Sequence, residues 1–432
     1  MKDLLSRTVL AGVTPSDPEY YGNVDYDVIV VGAGPGGATA ARAAASRGLR
    51  TLMLEEHHEV GRPTHCTGKL THHAFEEFDL PPGIVVNAVR AAVLHGPKGA
   101  RVLLRRHTVD SYIVDRDRFD QKLAEAALET GVELITGARA RQVRRVNGLM
   151  EVSGERNGRP FSARGRVVID AEGASPILPG TLGHHLVRRW VLGLQYQVEG
   201  AAVESEDAPE LYFGRDLAPG FFAWIMPLGG RRARVGLCVD PAYTSQKPAF
   251  YLERFIREHP IASKKLKGIH IEHKLAGRIP LLGTRHPSFF PGMLLVGDAA
   301  AQVKATSGGG IYFAMVAGEL AAGAAARYVR GERGALCDYE RGWRRRFGRE
   351  IWFTTLVRRI LNHLSDEEID AAIALLSREE GLRKAVEEFG DTAYQSRILA
   401  PVLLHSLRAG FRNRSLVWAL SRFFLGFVRA WL

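Results

Sequence analysis

The run Tyr26–Val31 (YDVIVV) is apolar except at Asp27, which predicts a short strand buried on both faces of a parallel sheet. Small residues then recur at helical spacing over Ala38–Arg47, and Arg50–Glu55 (RTLMLE) predicts a second strand that ends in an acid. From Leu80 to Leu104 the pattern is β-like and irregular. Asp117–Thr130 returns to a helix with Phe119, Leu123, Ala126 and Leu128 on one side, and Glu133–Ile135 predicts a strand behind it. Arg166–Asp170 (RVVID) and Met293–Val296 (MLLV) have the buried parallel type again. Between them, Trp190–Asp240 alternates apolar and polar residues as antiparallel strands do, and the last hundred or so residues are helical in pattern.

Glycines sit where these elements meet. Gly32-Ala33-Gly34-Pro35-Gly36-Gly37 joins the first strand to the first helix, and Glu55 ends the next strand about 20 residues on, where a carboxylate can accept from ribose hydroxyls, as in a dinucleotide-binding βαβ unit. Gly32 allows the tight turn, Gly34 the approach of a pyrophosphate, and Gly37 close packing of helix on strand. The phosphates would rest on the helix N-terminus, where free N–H groups and the helix dipole favour anions. A second cluster follows the late strand: Gly297-Asp298, then Thr306-Ser307-Gly308-Gly309-Gly310-Ile311 opening a helix. An acid there can hold ribityl hydroxyls, and unhindered amides can reach a flavin pyrimidine edge. This pairing selects FAD over NAD as the bound dinucleotide. The expected fold class is α/β: a discontinuous FAD-binding Rossmann-like domain (26–80, 105–185 and 275–330) carries an inserted antiparallel-sheet substrate domain (81–104 and 186–274). An N-terminal extension (1–25) precedes it, and a helical C-terminal region (331–432) follows.

Composition narrows the function classes. At 432 residues, 46% apolar and 24% charged, the chain has the balance of a globular protein with more than one core. The net charge of +11 comes with no zinc finger, aromatic RNA-binding motif or long basic run, so nucleic acid is not the expected partner. An acidic lipid surface or a phosphorylated substrate fits that charge. Cys66, Cys238 and Cys337 are far apart and odd in number, which excludes a disulfide framework and a CxxC metal or iron–sulfur site; no metal is expected. Such thiols suit a reducing cytosol. The first 25 residues lack the apolar segment of a signal peptide, and no window of ~18 apolar residues predicts a membrane span.

With GAGPGG, Asp115-Arg116…Phe119-Asp120, Asp170-Ala171-Glu172-Gly173 and Gly297-Asp298, the chain resembles the flavoproteins of the para-hydroxybenzoate hydroxylase fold. Within them it is most similar to the geranylgeranyl reductase family, which saturates double bonds of isoprenoid chains. Gly61-Arg62-Pro63-Thr64-His65-Cys66-Thr67-Gly68, Pro219-Gly220-Phe221-Phe222-Ala223-Trp224-Ile225-Met226-Pro227 and Gly277-Arg278-Ile279-Pro280 carry the more specific likeness. The second resembles that family's PxxYxWxFP element, with Phe222 for tyrosine and Met226 for phenylalanine; the glycine pair expected after it survives only in Gly236-Leu237-Cys238. These changes keep the site apolar and remove a hydroxyl.

The resemblance implies Arg116 as a flavin contact, Glu172 near the cofactor, Cys66 as the active-site cysteine, and Phe222, Trp224 and Pro227 against an isoprenoid or lipid substrate. Electrons would come from NAD(P)H or a small redox protein, since no second nicotinamide fingerprint is visible. The proton donor stays open between Cys66 and water. Other readings of the chain are an FAD-dependent monooxygenase of the same fold and a non-catalytic prenyl- or lipid-carrier. The tail from Arg408 to Leu432 carries Arg408, Arg412, Arg414, Arg422 and Arg429 with Leu416, Leu420, Phe423, Phe424, Phe427 and Trp431 near helical spacing. Such a helix suits an anionic membrane interface, giving a cytoplasmic protein with peripheral membrane contact, or it packs on the protein's own core.

Overall fold

The computed structural model describes residues 25–402 except 65, 185, 187, 188 and 282. The N-terminal extension before residue 25 and the basic amphipathic tail at 408–432 therefore lie outside the described residues.

The first sheet runs in the order β17 (Phe289–Phe290), β18 (Met293–Leu295), β11 (Arg159–Asp170), β1 (Asp25–Val31), β2 (Thr51–Leu54) and β8 (Glu133–Ile135). From β18 to β8 the pairing is parallel, and Val28, Ile29 and Val30 at its centre are fully buried. An antiparallel ribbon, β9 (Ala138–Val146) and β10 (Leu149–Arg156), pairs with the first half of β11. That pairing is why the strand expected over Arg166–Asp170 begins seven residues earlier, at Arg159.

The second sheet is ordered β16 (His270–Pro280), β12 (Trp190–Glu199), β15 (Arg232–Val239), β14 (Ala223–Gly229), β13 (Glu210–Tyr212), β5 (Ala91–His95) and β6 (Arg101–Arg105). It is antiparallel except between β13 and β5. A small third sheet joins β3 (Lys69–Thr71), β7 (Ser111–Val114) and β4 (Val85–Val89). The segment 81–104 is thus divided: β4 pairs with β7, whereas β5 and β6 join the large sheet.

The longer helices are α1 (Pro35–Ala45), α2 (Arg116–Leu128), α3 (Pro248–Glu258), α4 (Ile311–Val329), α5 (Ala335–Trp343), α6 (Arg349–His363), α7 (Asp366–Arg378) and α8 (Glu380–Phe389). Small residues let α1 and α4 approach backbone to backbone: a Cβ at Gly318 would stand 2.5 Å from the Gly36 carbonyl oxygen and 3.0 Å from the Ala40 nitrogen. The N-termini of α1 and α4 consequently open on the same space, at the carboxyl ends of β1 and β18, where open α/β sheets bind ligands. On β14 the two faces separate cleanly. Ala223 and Ile225 pack with Tyr251, Leu252 and Phe255 of α3, while Trp224, Met226 and Leu228 pack with Phe221, Phe222 and Cys238.

Candidate active site

β1 runs straight into the glycine turn. Gly32 has φ +100°, a left-handed conformation, and its N–H donates to the Leu54 carbonyl at 2.8 Å. A side chain at Gly32 would collide with the Ala171 carbonyl, and one at Gly37 with the Gly32 carbonyl. Gly34 is different: a Cβ there meets no protein atom within 4 Å. Its backbone is ordinary extended chain, and it faces a cavity of about 1210 Å³. Glu55 is buried at the end of β2 and lines the same cavity. One oxygen accepts from the Ala33 N–H at 2.9 Å, the other from the His57 N–H at 3.0 Å, so the acid holds the glycine turn in place.

Gly297 and Asp298 follow β18, and Gly308, Gly309, Gly310 and Ile311 open α4, which has no side-chain cap. All six line the cavity together with Gly32, Gly34, Pro35, Gly36 and Gly37. Asp298 makes no side-chain hydrogen bond among the described residues. Burial pushes its carboxyl up to about 6, with the Arg116 charge pulling the other way.

Arg116 and Cys66 meet in the wall of the cavity. Burial alone would lower the Arg116 pKa, but Asp120 outweighs it, through bonds of 3.0 and 2.7 Å from Nε and Nη2, and Cys66 adds to the effect. The guanidinium stays charged. The Gly68 N–H points at Cys66 Sγ from 3.4 Å. Arg234 clamps the same loop, donating from Nη1 to the Thr67 carbonyl at 2.6 Å.

One buried side chain then ties the loop to the large sheet. Gln195 Oε1 accepts from Thr67 Oγ1 at 2.8 Å and from the Trp224 indole N–H at 3.0 Å. Thr67, the neighbour of Cys66, is thus linked to Trp224 through a shared acceptor, and Cys66 and Trp224 border the same cavity. Beyond Trp224, Phe221 and Phe222 stack at 4.6 Å, and Arg358 lies 4.3 Å above the Phe221 ring.

Of the site residues expected from sequence, Pro227 is the correction. Side chains alternate along a strand, and Pro227 shares the parity of Ala223 and Ile225; it is absent from the cavity lining, whereas Phe222, Trp224 and Met226 belong to it. Glu172 lines the cavity too, yet its carboxylate already accepts from the Ile177 and Leu178 amides at 3.0 Å each. Sequence reasoning missed Gln195, Arg234 and Arg358, none of which falls in a motif. Asp120 carried a signal, four residues after Arg116 on a helix.

Residues 27–179 match the model of FAD-dependent oxidoreductases, and 191–276 match the geranylgeranyl reductase catalytic domain. The digeranylgeranylglycerophospholipid reductase of Methanocaldococcus jannaschii is 33% identical over 80% of this chain and 89% of its own. A geranylgeranyl bacteriochlorophyll reductase-like protein of Thermoplasma acidophilum, known from its crystal structure, superposes with a TM-score of 0.79. It is 28% identical over 92% of this chain and 99% of its own. The p-nitrophenol 4-monooxygenase of Pseudomonas putida, 16% identical, gives a TM-score of 0.66 over 83% of this chain and 95% of its own, a likeness of fold alone.

Fold and cavity define an FAD-dependent oxidoreductase. The open space at Gly34, the carboxylate of Asp298 without a donor among the described residues, and two uncapped helix starts suit a bound dinucleotide. Pockets for one ligand run to about 300–1,000 Å³, so about 1210 Å³ leaves room for a substrate beside it. The chain belongs to the geranylgeranyl reductase family, whose members reduce C=C bonds of isoprenoid chains.

Proposed function

We propose that this chain saturates the geranylgeranyl chains of a membrane glycerophospholipid, the substrate class in the names of its relatives. The observation that carries this reading is a single cavity running from both glycine clusters past Cys66 to the aromatic wall of Phe221, Phe222 and Trp224.

Gly34 and the α1 N-terminus would hold the pyrophosphate, with Gly32, Pro35, Gly36 and Gly37 shaping the turn and Glu55 fixing it. Asp298 would accept from ribityl hydroxyls, and Gly308–Ile311 would meet the pyrimidine edge. The parallel-sheet part thus holds the cofactor, and the large antiparallel sheet roofs the substrate. Bound FAD supplies, in its reduced form, the hydride that adds to one alkene carbon. The proton for the other carbon comes from Cys66 or from water, and Arg116, itself held by Asp120, fixes the Cys66 side chain. Phe222 and Trp224 exclude water and hold the chain by apolar contact, each buried CH₂ contributing about 0.8 kcal/mol. Two electrons come from NAD(P)H or a small redox protein.

The test is mass spectrometry of geranylgeranyl lipids incubated with the holoenzyme and a reductant, NADPH or dithionite, gaining two hydrogens per bond. Cys66→Ser should keep flavin content and fold while lowering turnover or the extent of saturation. Trp224→Ala should raise KM through lost contact area. Unchanged kinetics and products for Cys66→Ser would make the thiol a packing residue.

Among the described residues no helix is long and apolar enough to cross a membrane. The arginine pattern at 408–432 supports interfacial binding to anionic lipid instead. Flotation with anionic vesicles should exceed that with neutral ones and weaken in high salt; binding indifferent to both would refute the electrostatic part.

A further inference from the structure

The cavity is lined by many cations, and one stands apart. Arg62, Lys69, Arg106, Arg116 and Arg139 each pair with a carboxylate, while Arg90 and Arg278 are exposed. Arg358 lines the cavity, is 5% exposed, and has no carboxylate within ion-pair distance among the described residues. Its Nε donates to the Ala305 carbonyl at 3.0 Å and Nη2 to the Thr306 carbonyl at 2.7 Å. Nη1 has no hydrogen-bond partner among the described residues. The surroundings are apolar: Phe221 under the guanidinium, and Phe353, Val357 and Leu361 of the same helix along the same cavity. Arg234 also has no carboxylate within ion-pair distance among the described residues, but it lies outside the cavity lining.

A buried cation with no carboxylate in ion-pair contact is costly, and burial pulls the Arg358 pKa down to about 10, with the charge of Asp240, itself paired with Arg189, pulling the other way. A ligand anion entering this cavity would supply the missing charge, and low local polarity would strengthen the pair. A guanidinium fork matches the oxygens of a phosphate.

We propose that Arg358 is the seat of a phosphate group on the isoprenoid substrate, and that this seat sets which double bond reacts first. The proposal rests on the isoprenoid-reductase reading above. Ala305 and Thr306, which Arg358 holds, lead directly into Gly308–Gly310, the loop assigned to the flavin. A phosphate anchored here brings the alkene nearest the head group towards the cofactor, with the tail extending along Trp224 and Met226. The same chemistry could come from a glycerophospholipid or from a free prenyl phosphate.

The experiment measures binding of three probes to oxidised holoenzyme by perturbation of the flavin spectrum: geranylgeraniol, geranylgeranyl phosphate, and a digeranylgeranyl glycerol ether phosphate. Charge-assisted hydrogen bonds of this kind correspond to about 10–100-fold in affinity, so the phosphates should bind at least about tenfold more tightly than the alcohol. Whichever phosphate binds better identifies the source. Arg358→Gln should bring the ratio to within about threefold and scramble the order in which bonds are saturated. If that variant does not fold, Arg358→Lys decides by the same ratio, because losing the fork should reduce it measurably. No phosphate preference in the wild type, or a preference that survives these substitutions, overturns the seat. Intact preference without saturation of any probe would instead overturn the reductase reading.

Discussion

A methyl group added to Gly34 meets open cavity, whereas one added to Gly37 meets the Gly32 carbonyl, five residues back in the chain. The two glycines thus serve different ends, one leaving space for a ligand and the other letting the chain pack. Gly34→Val should fold with a melting temperature close to that of wild-type apoprotein and retain little FAD. Gly37→Ala should itself lose about 1–3 kcal/mol or more of stability, from overpacking. Absorbance at the flavin band and thermal melts of apoprotein separate the two effects. Full flavin occupancy in Gly34→Val would sink the assigned pyrophosphate site. Both glycines were legible from sequence because their motif is local. Gln195 and Arg358 were not: a glutamine within an alternating strand and an arginine on a helix look like many others until distant chain brings Thr67, Trp224 and Phe221 against them. Pro227 was legible in principle, since its odd parity with Trp224 already excluded a shared face.

Elements with a strong period were readable, and those defined by their partners were not. β1, β2, β8 and α2 fall within a few residues of the expected ranges, because burial on both faces or on one stripe fixes their composition. The irregular stretch 80–104 gave no hint that β4 and β5 part company, as strand pairing is decided by register with residues far along the chain. The unit β18–Gly297-Asp298–α4 shows what an element boundary can hold. Burial raises the Asp298 carboxyl above its unfolded value to about 6. Its neutral form is therefore favoured by folding: that stability is fully present below about pH 4 and is lost as pH rises through about 6. Apoprotein should lose about 1–3 kcal/mol across this window. Asp298→Asn should abolish the loss and melt higher at pH 7–8, while binding FAD more weakly because the acceptor charge is gone. Urea melts of apoprotein at pH 4, 6 and 8, with flavin titration at pH 8, check both halves; a pH dependence retained in the Asn variant would assign it elsewhere.

At the scale of the whole molecule, the C-terminal segment closes the cavity that the two sheets begin. Gly390, Asp391, Thr392, Gln395 and Ile398 line it, and an ionic cluster fastens them to the body. Asp110 accepts from Lys69 at 3.4 Å, from Arg106 at 3.2 Å and from the Thr392 N–H at 3.2 Å, with the Thr392 hydroxyl also on it. The Thr392 carbonyl takes the buried Lys304 ammonium, and Asp391 takes His73 at 2.9 Å. Burial by itself would raise the Asp110 carboxyl, but Lys69, Thr392 and Arg106 hold it well below the usual carboxylate range. The stability it contributes is therefore present above its unfolded value near 4 and disappears only as pH falls further. Asp110→Asn removes the charge that Lys69 and Arg106 share. Hydrogen bonds to charged groups are worth about 1.5–3 kcal/mol, so local opening of this segment should become about 10–100-fold more frequent. Hydrogen exchange of peptides spanning 386–402 at neutral pH reads that opening directly, against the parallel-sheet core as internal reference. Faster exchange confined to 386–402 supports a clasp over the substrate cavity. A uniform rise throughout the protein would instead show that Asp110 supports global stability and that the segment has no separate closing motion.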